Sequence, residues 1–337
     1  GIIAPEYDYN DYHELDASGK VVVMIGGEPV SDDPAYFNGN APSIHSYPDS
    51  KFRTAIARGA VASILLPKPT EAGYVNWEQL QKDYSFDEVM LAYAASFNLS
   101  MLLEPASAEI LFKRSGYSVE DVYKMYETGK MKSFQLKSRI KFKIKAKSSE
   151  GTGRNVIGLI PGMHPEKKNT AIVISAHYDH LGTGYKIEKD SIYNGALDNA
   201  LGVSGLIELA KTMKSSKLEP ERTIIFLAST GEEKGLLGSK FYTDNPVMPL
   251  HKTAANINID GLAFIDRFKS VIGIGSEYSE LEKIMKQAAE NMGLKFEEIP
   301  EEFKSSEAFN RSDQIAFAQA GIPSVLVLDG LDYQTFS

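Results

Sequence analysis

The 337 residues exceed one typical domain, and 43% hydrophobic with 24% charged residues is the composition of an ordinary globular protein. A formal charge of -9 argues against nucleic acid or an anionic membrane surface as the main partner, and no window reaches the roughly 18 uninterrupted apolar residues of a bilayer span. Without cysteine there are no disulfides and no thiolate metal sites, so any metal must be held by His, Asp and Glu.

Residues 1–19 read as an irregular, aromatic-rich lead-in. Lys20–Met24 (KVVVM) is an apolar run of strand length closed by Gly26 and Gly27, Lys51–Gly59 (KFRTAIARG) has helical character, and Ala60–Leu66 (AVASILL) is a second strand. No phosphate-binding glycine loop accompanies this unit, so it carries no nucleotide-site signature. Two helical stretches lie between Pro105 and Gly129, the second opened by Ser118 with Asp121 three residues on. Phe134–Ala146 (FQLKSRIKFKIKA) has the clearest strand alternation in the chain. Phe134, Leu136, Ile140, Phe142 and Ile144 form one row, and Lys137, Arg139, Lys141, Lys143 and Lys145 the other. A basic row of this kind is more often the solvated side of a half-buried strand than an anion site. The polar, glycine-bearing Ser148–Gly153 marks a boundary.

Beyond it, strands and helices alternate. Strands are expected over Asn155–Gly162, Ala171–Ala176, Thr223–Ser229, Ala254–Asp260, Ser270–Gly275 and Ser324–Leu328. One helix opens at Asp198, which suits an N-cap, with Leu206, Leu209, Ala210 and Met213 as its apolar face. Another runs from Glu233 to about Tyr242, a third carries Leu281, Ile284, Met285, Ala288, Ala289 and Met292, and a fourth spans Ser312–Gln319. This alternation predicts an α/β protein, a mostly parallel mixed sheet covered on both faces by helices in three layers.

Four segments end at the carboxyl edge of that sheet, where ligands collect in open parallel sheets. They carry His177, Asp198, the pair Glu232 and Glu233, and Asp260. Taken singly, His177 is a satisfied polar residue, Asp198 a cap, and the Glu pair a favourable charge at a helix start. Together they form a pattern of nitrogen and oxygen ligands suited to zinc, manganese or cobalt. Neighbouring carboxylates in an irregular turn point differently, so one can hold a metal while the other serves as general base.

AHYDHLG, GALDNALG, TGEEKGLLGS and NINIDG, in that order within about 155–328, resemble the co-catalytic di-zinc aminopeptidase family. That family includes bacterial leucine-type aminopeptidases, glutamate carboxypeptidase II and the transferrin receptor ectodomain. Through GKVVVMIGGEP and KFRTAIARGAVASILL, residues 20–147 resemble the protease-associated α+β domain that many members carry as an insertion. The resemblance thus implies a lead-in over 1–19, the inserted domain over 20–147 and a zinc peptidase domain of the di-zinc exopeptidase type over 148–337. It implies two zinc ions, with His177 on one and Asp260 on the same or the other. Asp198 would bridge both beside a cis Asp198–Asn199 peptide, Glu233 would be a ligand and Glu232 the general base. Asp179 would accept from the His177 imidazole. His180 is either a residue that supports the metal ligands or, more often in such a loop, an ordinary hydrogen-bonded histidine, and His13, His45, His164 and His251 are read as polar residues outside the motifs.

The resemblance also implies a fifth ligand, a histidine in a YHTP-like segment beyond the last strand. No histidine follows His251, and Gln314 stands where many relatives have histidine. The first elements and the C-terminal end of the zinc peptidase domain are therefore expected to lie outside this sequence. The implied activity is zinc-dependent exopeptidase, an aminopeptidase acting on peptide substrates. A glutamate-carboxypeptidase-like hydrolase and a non-catalytic binding protein like the transferrin receptor are the alternatives. Relatives with the inserted domain are mostly exported, which implies a secreted or periplasmic location.

Overall fold

The computed structural model describes residues 1–33, 35–37, 39, 42–68, 77–83, 86–94, 99–143, 145, 147–216, 219–262, 266–299 and 308–334. Contacts divide the chain into two units, Gly1–Tyr84 with Ser96–Ser148, and Ser85–Ala95 with Ser149–Ser337. The expected boundaries differ from this division in two places. Residues 1–19 belong to the first unit, where Ile2 and Ala4 bury against Phe37, and residues 86–94 belong to the second.

In chain order the first unit contains β1 (Ile3–Ala4), β2 (Tyr9–Asn10), β3 (Val21–Ile25), α1 (Pro48–Ala57), β4 (Ala62–Leu66), α2 (Trp77–Asp83), β5 (Leu99–Leu102), α3 (Pro105–Phe112) and α4 (Val119–Glu127). Strands β3, β4 and β5 pair in parallel with β4 central, as its uniformly apolar, buried sequence requires. Ile64 and Leu66 face Leu111, Phe112, Val122 and Tyr123, whereas Leu65 faces Met24 and Ala55, the two-residue alternation of a pleated strand. Helix α4 starts in the expected capping box, with Ser118 and Asp121 bonding each other's backbone N–H.

The expected strand at 134–146 does not form among the described residues, and Ile144 and Ala146 lie outside them. Phe134, Leu136 and Ile140 pack on the α3–α4 core and Ser138 Oγ donates to the Leu111 carbonyl, while Lys137, Arg139, Lys141, Lys143 and Lys145 are exposed. Alternate burial requires only an extended chain. A ladder also requires a partner edge, which the alternation cannot report.

The second unit runs β6 (Val156–Ile160), β7 (Ala171–His177), β8 (Gly182–Ile187), β9 (Asp190–Tyr193), α5 (Leu201–Ser215), β10 (Thr223–Ser229), α6 (Leu237–Asp244), β11 (Thr253–Ile259), β12 (Ser270–Ile274), α7 (Leu281–Asn291), β13 (Lys295–Phe296), α8 (Gln314–Gln319) and β14 (Ser324–Asp329). A seven-stranded mixed sheet has the order β13-β12-β14-β11-β7-β10-β6. Its centre, β14-β11-β7-β10, is parallel, with β6 and β12 antiparallel to their neighbours β10 and β14. On one face Ile174, Ala176, Ile224 and Phe226 meet α5 through Leu206; on the other, Val173, Ile225 and Leu227 meet Tyr242 of α6 and Phe317 of α8. The three layers are those expected. No helix among the described residues is long and apolar enough to cross a membrane.

Helix contacts are narrower than their apolar stripes. Val203, Leu206, Ala210 and Met213 of α5 reach the sheet, and Leu209 is exposed. In α7, Leu281 and Ala289 are buried while Ile284 and Met292 face outward. The antiparallel β8–β9 hairpin was not legible, because its glycine-rich sequence has no apolar alternation.

Candidate metal centre

The parallel register sets Ser229 beside His177 and brings the ends of β7, β10 and β11 to one edge. His177, 1% exposed, closes β7, and its Nε2 lies 3.1 Å from Asp198 Oδ1 and 3.2 Å from Asp260 Oδ1. Its Nδ1 is 2.9 Å from the Asp179 carbonyl oxygen, which can only accept, so Nδ1 carries a proton and Nε2 is the nitrogen turned toward the two carboxylates.

This corrects the expected role of Asp179. Its carbonyl, not its carboxylate, orients the imidazole. The carboxylate Oδ2 instead accepts from Thr230 Oγ1 and the Gly231 N–H, both at 2.6 Å. Asn155 fastens the same turn, accepting from the Thr230 N–H at 3.2 Å and donating to the Gly238 carbonyl at 2.8 Å. The two side chains thereby fix the loop that presents Glu232 and Glu233.

Asp198 is not a helix cap. Asp198 and Asn199 leave helical geometry (φ -113° and -137°), and the peptide between them is cis, as the resemblance implies. Asn199 does the capping: its Oδ1 accepts from the Gly202 N–H at 3.1 Å, and its Nδ2 donates to the Ile259 carbonyl at 2.9 Å. A Cβ at Gly202 would lie 2.6 Å from that carbonyl, so only glycine permits the approach. The Asp198 carboxylate is thus free to face the imidazole. Asn199→Ala removes both bonds of a buried amide and strands the Ile259 carbonyl, so unfolding free energy should drop by about 1–3 kcal/mol, measurable by urea denaturation.

Asp260 follows β11 and accepts from Ser312 Oγ, which in turn accepts from Asn258 Nδ2 at 2.8 Å; Asn258 Oδ1 accepts from Ser175 Oγ at 2.7 Å. This buried polar chain holds the carboxylate from beneath. Glu233 lies on the other side of Asp198, with Oε1 2.5 Å from His180 Nδ1. Two donor groups therefore share Asp198: His177 with Asp260, and His180 with Glu233, the ligand atoms of each lying within 4.8 Å of one another. Glu232, 8% exposed, belongs to neither.

Like charge is concentrated here. Burial and the Asp313 carboxylate push Glu232 up to about 9, and burial with the neighbouring Asp198 raises Glu233. Asp313, fully buried and bonded by Ser229 Oγ, is itself raised by burial. Burial draws His177 down, but its hydrogen bonds to Asp198 and Asp260 outweigh this and push it up to about 11, and the His177 bond in turn lowers Asp198. His180 Nδ1 and Glu233 Oε1 are buried against each other. Crowded carboxylates and imidazole nitrogens are the marks of a cation site, and the nitrogen and oxygen donors fit zinc.

All five expected site residues at the strand ends thus converge. Asn155, Ser312 and Asp313 were not anticipated in site roles; for Asp313 the SDQ triplet was the available signal. Phe86 was not anticipated either. Its ring stacks edge-on to Tyr193 at 5.4 Å with Lys234 Nζ 4.9 Å above it, one residue from Glu233.

A family model for peptidase family M28 matches residues 155–335, more than half of the chain and every residue of the centre just described except Phe86. The chain belongs to peptidase family M28. It is similar to leupeptin-inactivating enzyme 1 of Streptomyces exfoliatus, 28% identical over 187 residues, covering 55% of this chain and 38% of that protein. It is also similar to the vacuolar membrane protease of Saccharomyces cerevisiae, 35% identical over 107 residues, 32% of this chain and 10% of that one. Among solved structures it resembles the aminopeptidase from Aneurinibacillus sp. strain AM-1, with 20% identity and a TM-score of 0.48, covering 96% of this chain and 63% of that one. The chain therefore spans well under half the length of these two curated relatives.

Proposed function

We propose that this M28 chain carries the catalytic centre of a zinc-dependent aminopeptidase that uses two ions. The observation that carries the reading is the arrangement of two donor groups around a shared Asp198, with the buried Glu232 beside them and free of both. His177, Asp198 and Asp260 would hold one ion, and Asp198 and Glu233 the other. Zinc bound there would supply Lewis-acid chemistry and positive charge that favours the ionised form of Glu232. Glu232 would be the group that takes a proton from the attacking water and returns one to the leaving amine. A purely binding scaffold has no need of a buried, charge-stressed Glu232. A protease-associated identity for the first unit and an exported location belong to this reading through the resemblance alone.

Incubation of the full-length protein with amino-acid para-nitroanilides tests it. Hydrolysis should stop with a chelator, return with zinc, and be absent for N-acetylated analogues. Equal hydrolysis of the blocked substrates excludes aminopeptidase action, and no hydrolysis of any peptide substrate excludes the enzyme.

Metal removal should also leave a pH signature in stability. Without zinc, folded His177 keeps its proton up to about 11 while the unfolded chain loses it near 6.5, and folded Glu232 keeps its proton up to about 9 against 4.5 unfolded. Between 6.5 and 9 the unfolded state binds fewer protons at both sites, so stability falls as pH rises. Zinc must displace the His177 proton, so its stabilisation grows over the same range. Thermal midpoints of metal-free and zinc-loaded protein should diverge from pH 6.5 to 9; parallel curves contradict the assignment.

A further inference from the structure

We infer that Phe86 is a positioning residue for the turn that presents Glu232 and Glu233, acting through Lys234 and the β8–β9 hairpin. This rests on the aminopeptidase reading above and deepens it. Phe86 lies outside residues 155–335, so the family match assigns it no role. Its segment, Ser85–Ala95, groups with the second unit, and Tyr93 anchors that segment to the end of α6 by donating its hydroxyl to Asp244 Oδ2 at 2.6 Å.

Phe86 touches both stretches of chain that flank the centre. The β8–β9 hairpin is the chain between His180 and Asp198, opening at Gly182 and closing at Tyr193. Phe86 meets Tyr193 and Tyr185 edge-on, with ring centroids 5.4 and 6.3 Å away, and the two tyrosines meet each other at 6.0 Å. Gly184 makes room for this ring, because a Cβ there would lie 2.1 Å from Phe86 Cε1. The same ring takes Lys234 Nζ at 4.9 Å from its centroid, and Lys234 directly follows Glu233. An ammonium is drawn to an aromatic face by the ring quadrupole. Half-buried Lys234 makes no ion pair among the described residues, so the ring gives it its direction. Asp179 and Asn155 hold the turn at Thr230 and Gly231, ahead of the glutamates, and Phe86 holds it at Lys234, behind them. One ring thus ties the hairpin that leads to Asp198 to the turn that carries the general base.

Full-length wild type, Phe86→Leu, Lys234→Met, their double variant and Lys234→Arg are compared, zinc-loaded, in steady-state hydrolysis of an amino-acid para-nitroanilide and in amide hydrogen exchange. Leucine keeps apolar bulk without a quadrupole, methionine keeps the stem without the charge, and arginine keeps a cation for the ring. Phe86→Leu and Lys234→Met should each lower kcat by about 10- to 100-fold with KM within about two-fold, as for a misplaced acid–base group, while Lys234→Arg keeps most of the rate. The double variant should be no worse than the singles, since all three remove one contact. Exchange should quicken over 230–236 in both single variants, while protection of the strands at 171–176 and 223–229 shows that they are folded. An active wild type whose Phe86→Leu variant keeps its kcat, changes KM alone, leaves exchange over 230–236 unchanged, or multiplies its loss with Lys234→Met overturns the role of Phe86 and leaves the aminopeptidase reading standing. A wild type that hydrolyses no peptide removes that reading, and the role of Phe86 in turnover with it.

Discussion

Glu232→Gln is expected to leave zinc content unchanged and to lower kcat by about 100- to 10,000-fold, the usual contribution of a positioned acid–base group. Glu232 lies outside both donor groups, so the amide costs no ligand, and it replaces a carboxyl that burial and the Asp313 carboxylate drive up to about 9. The metal-free variant should therefore be at least as stable as the wild type. Steady-state rates with metal analysis on the same samples separate the outcomes. A loss of zinc in parallel with rate makes Glu232 a ligand, and an unchanged rate removes it from the chemistry.

Asp198→Asn should have the broader effect. The substitution preserves shape and leaves Asn199 to cap α5, but it removes the one charge common to both donor groups. Zinc affinity should fall by more than the roughly 10- to 100-fold typical of losing a supporting hydrogen bond, with hydrolysis lost at ordinary zinc concentrations. Competition with a chromogenic chelator measures this directly. Loss of only one ion, with the other held at wild-type affinity, contradicts a shared role for Asp198.

The alternation of apolar strands with amphipathic helices made the layered sheet legible, because burial on both faces of β7 and β10 leaves no other use for such runs. The strand-end position of His177 and Asp260 followed from the same pattern. What local pattern could not carry was pairing and side-chain direction. Residues 134–143 alternate like a strand but have no ladder partner among the described residues, and the β8–β9 hairpin pairs without alternating. Asp198 resembled an N-cap because cap preference is read from residue type, whereas its backbone geometry gives that role to Asn199. Asp179 was assigned to the imidazole through the resemblance, but the Thr230–Gly231 turn, distant in sequence, takes its carboxylate. Ser312, Asn258 and Ser175 under Asp260 could not be connected before the register of β7, β11 and α8 was known.

The most direct test of the central claim is a titration of the chelated full-length protein with zinc, following hydrolysis of an amino-acid para-nitroanilide at each addition. The metal-free protein should be inactive, and the rate should rise and reach a plateau as the ligand set around Asp198 fills. Activity that survives metal removal, or a fully zinc-loaded protein that hydrolyses no peptide substrate, contradicts the account.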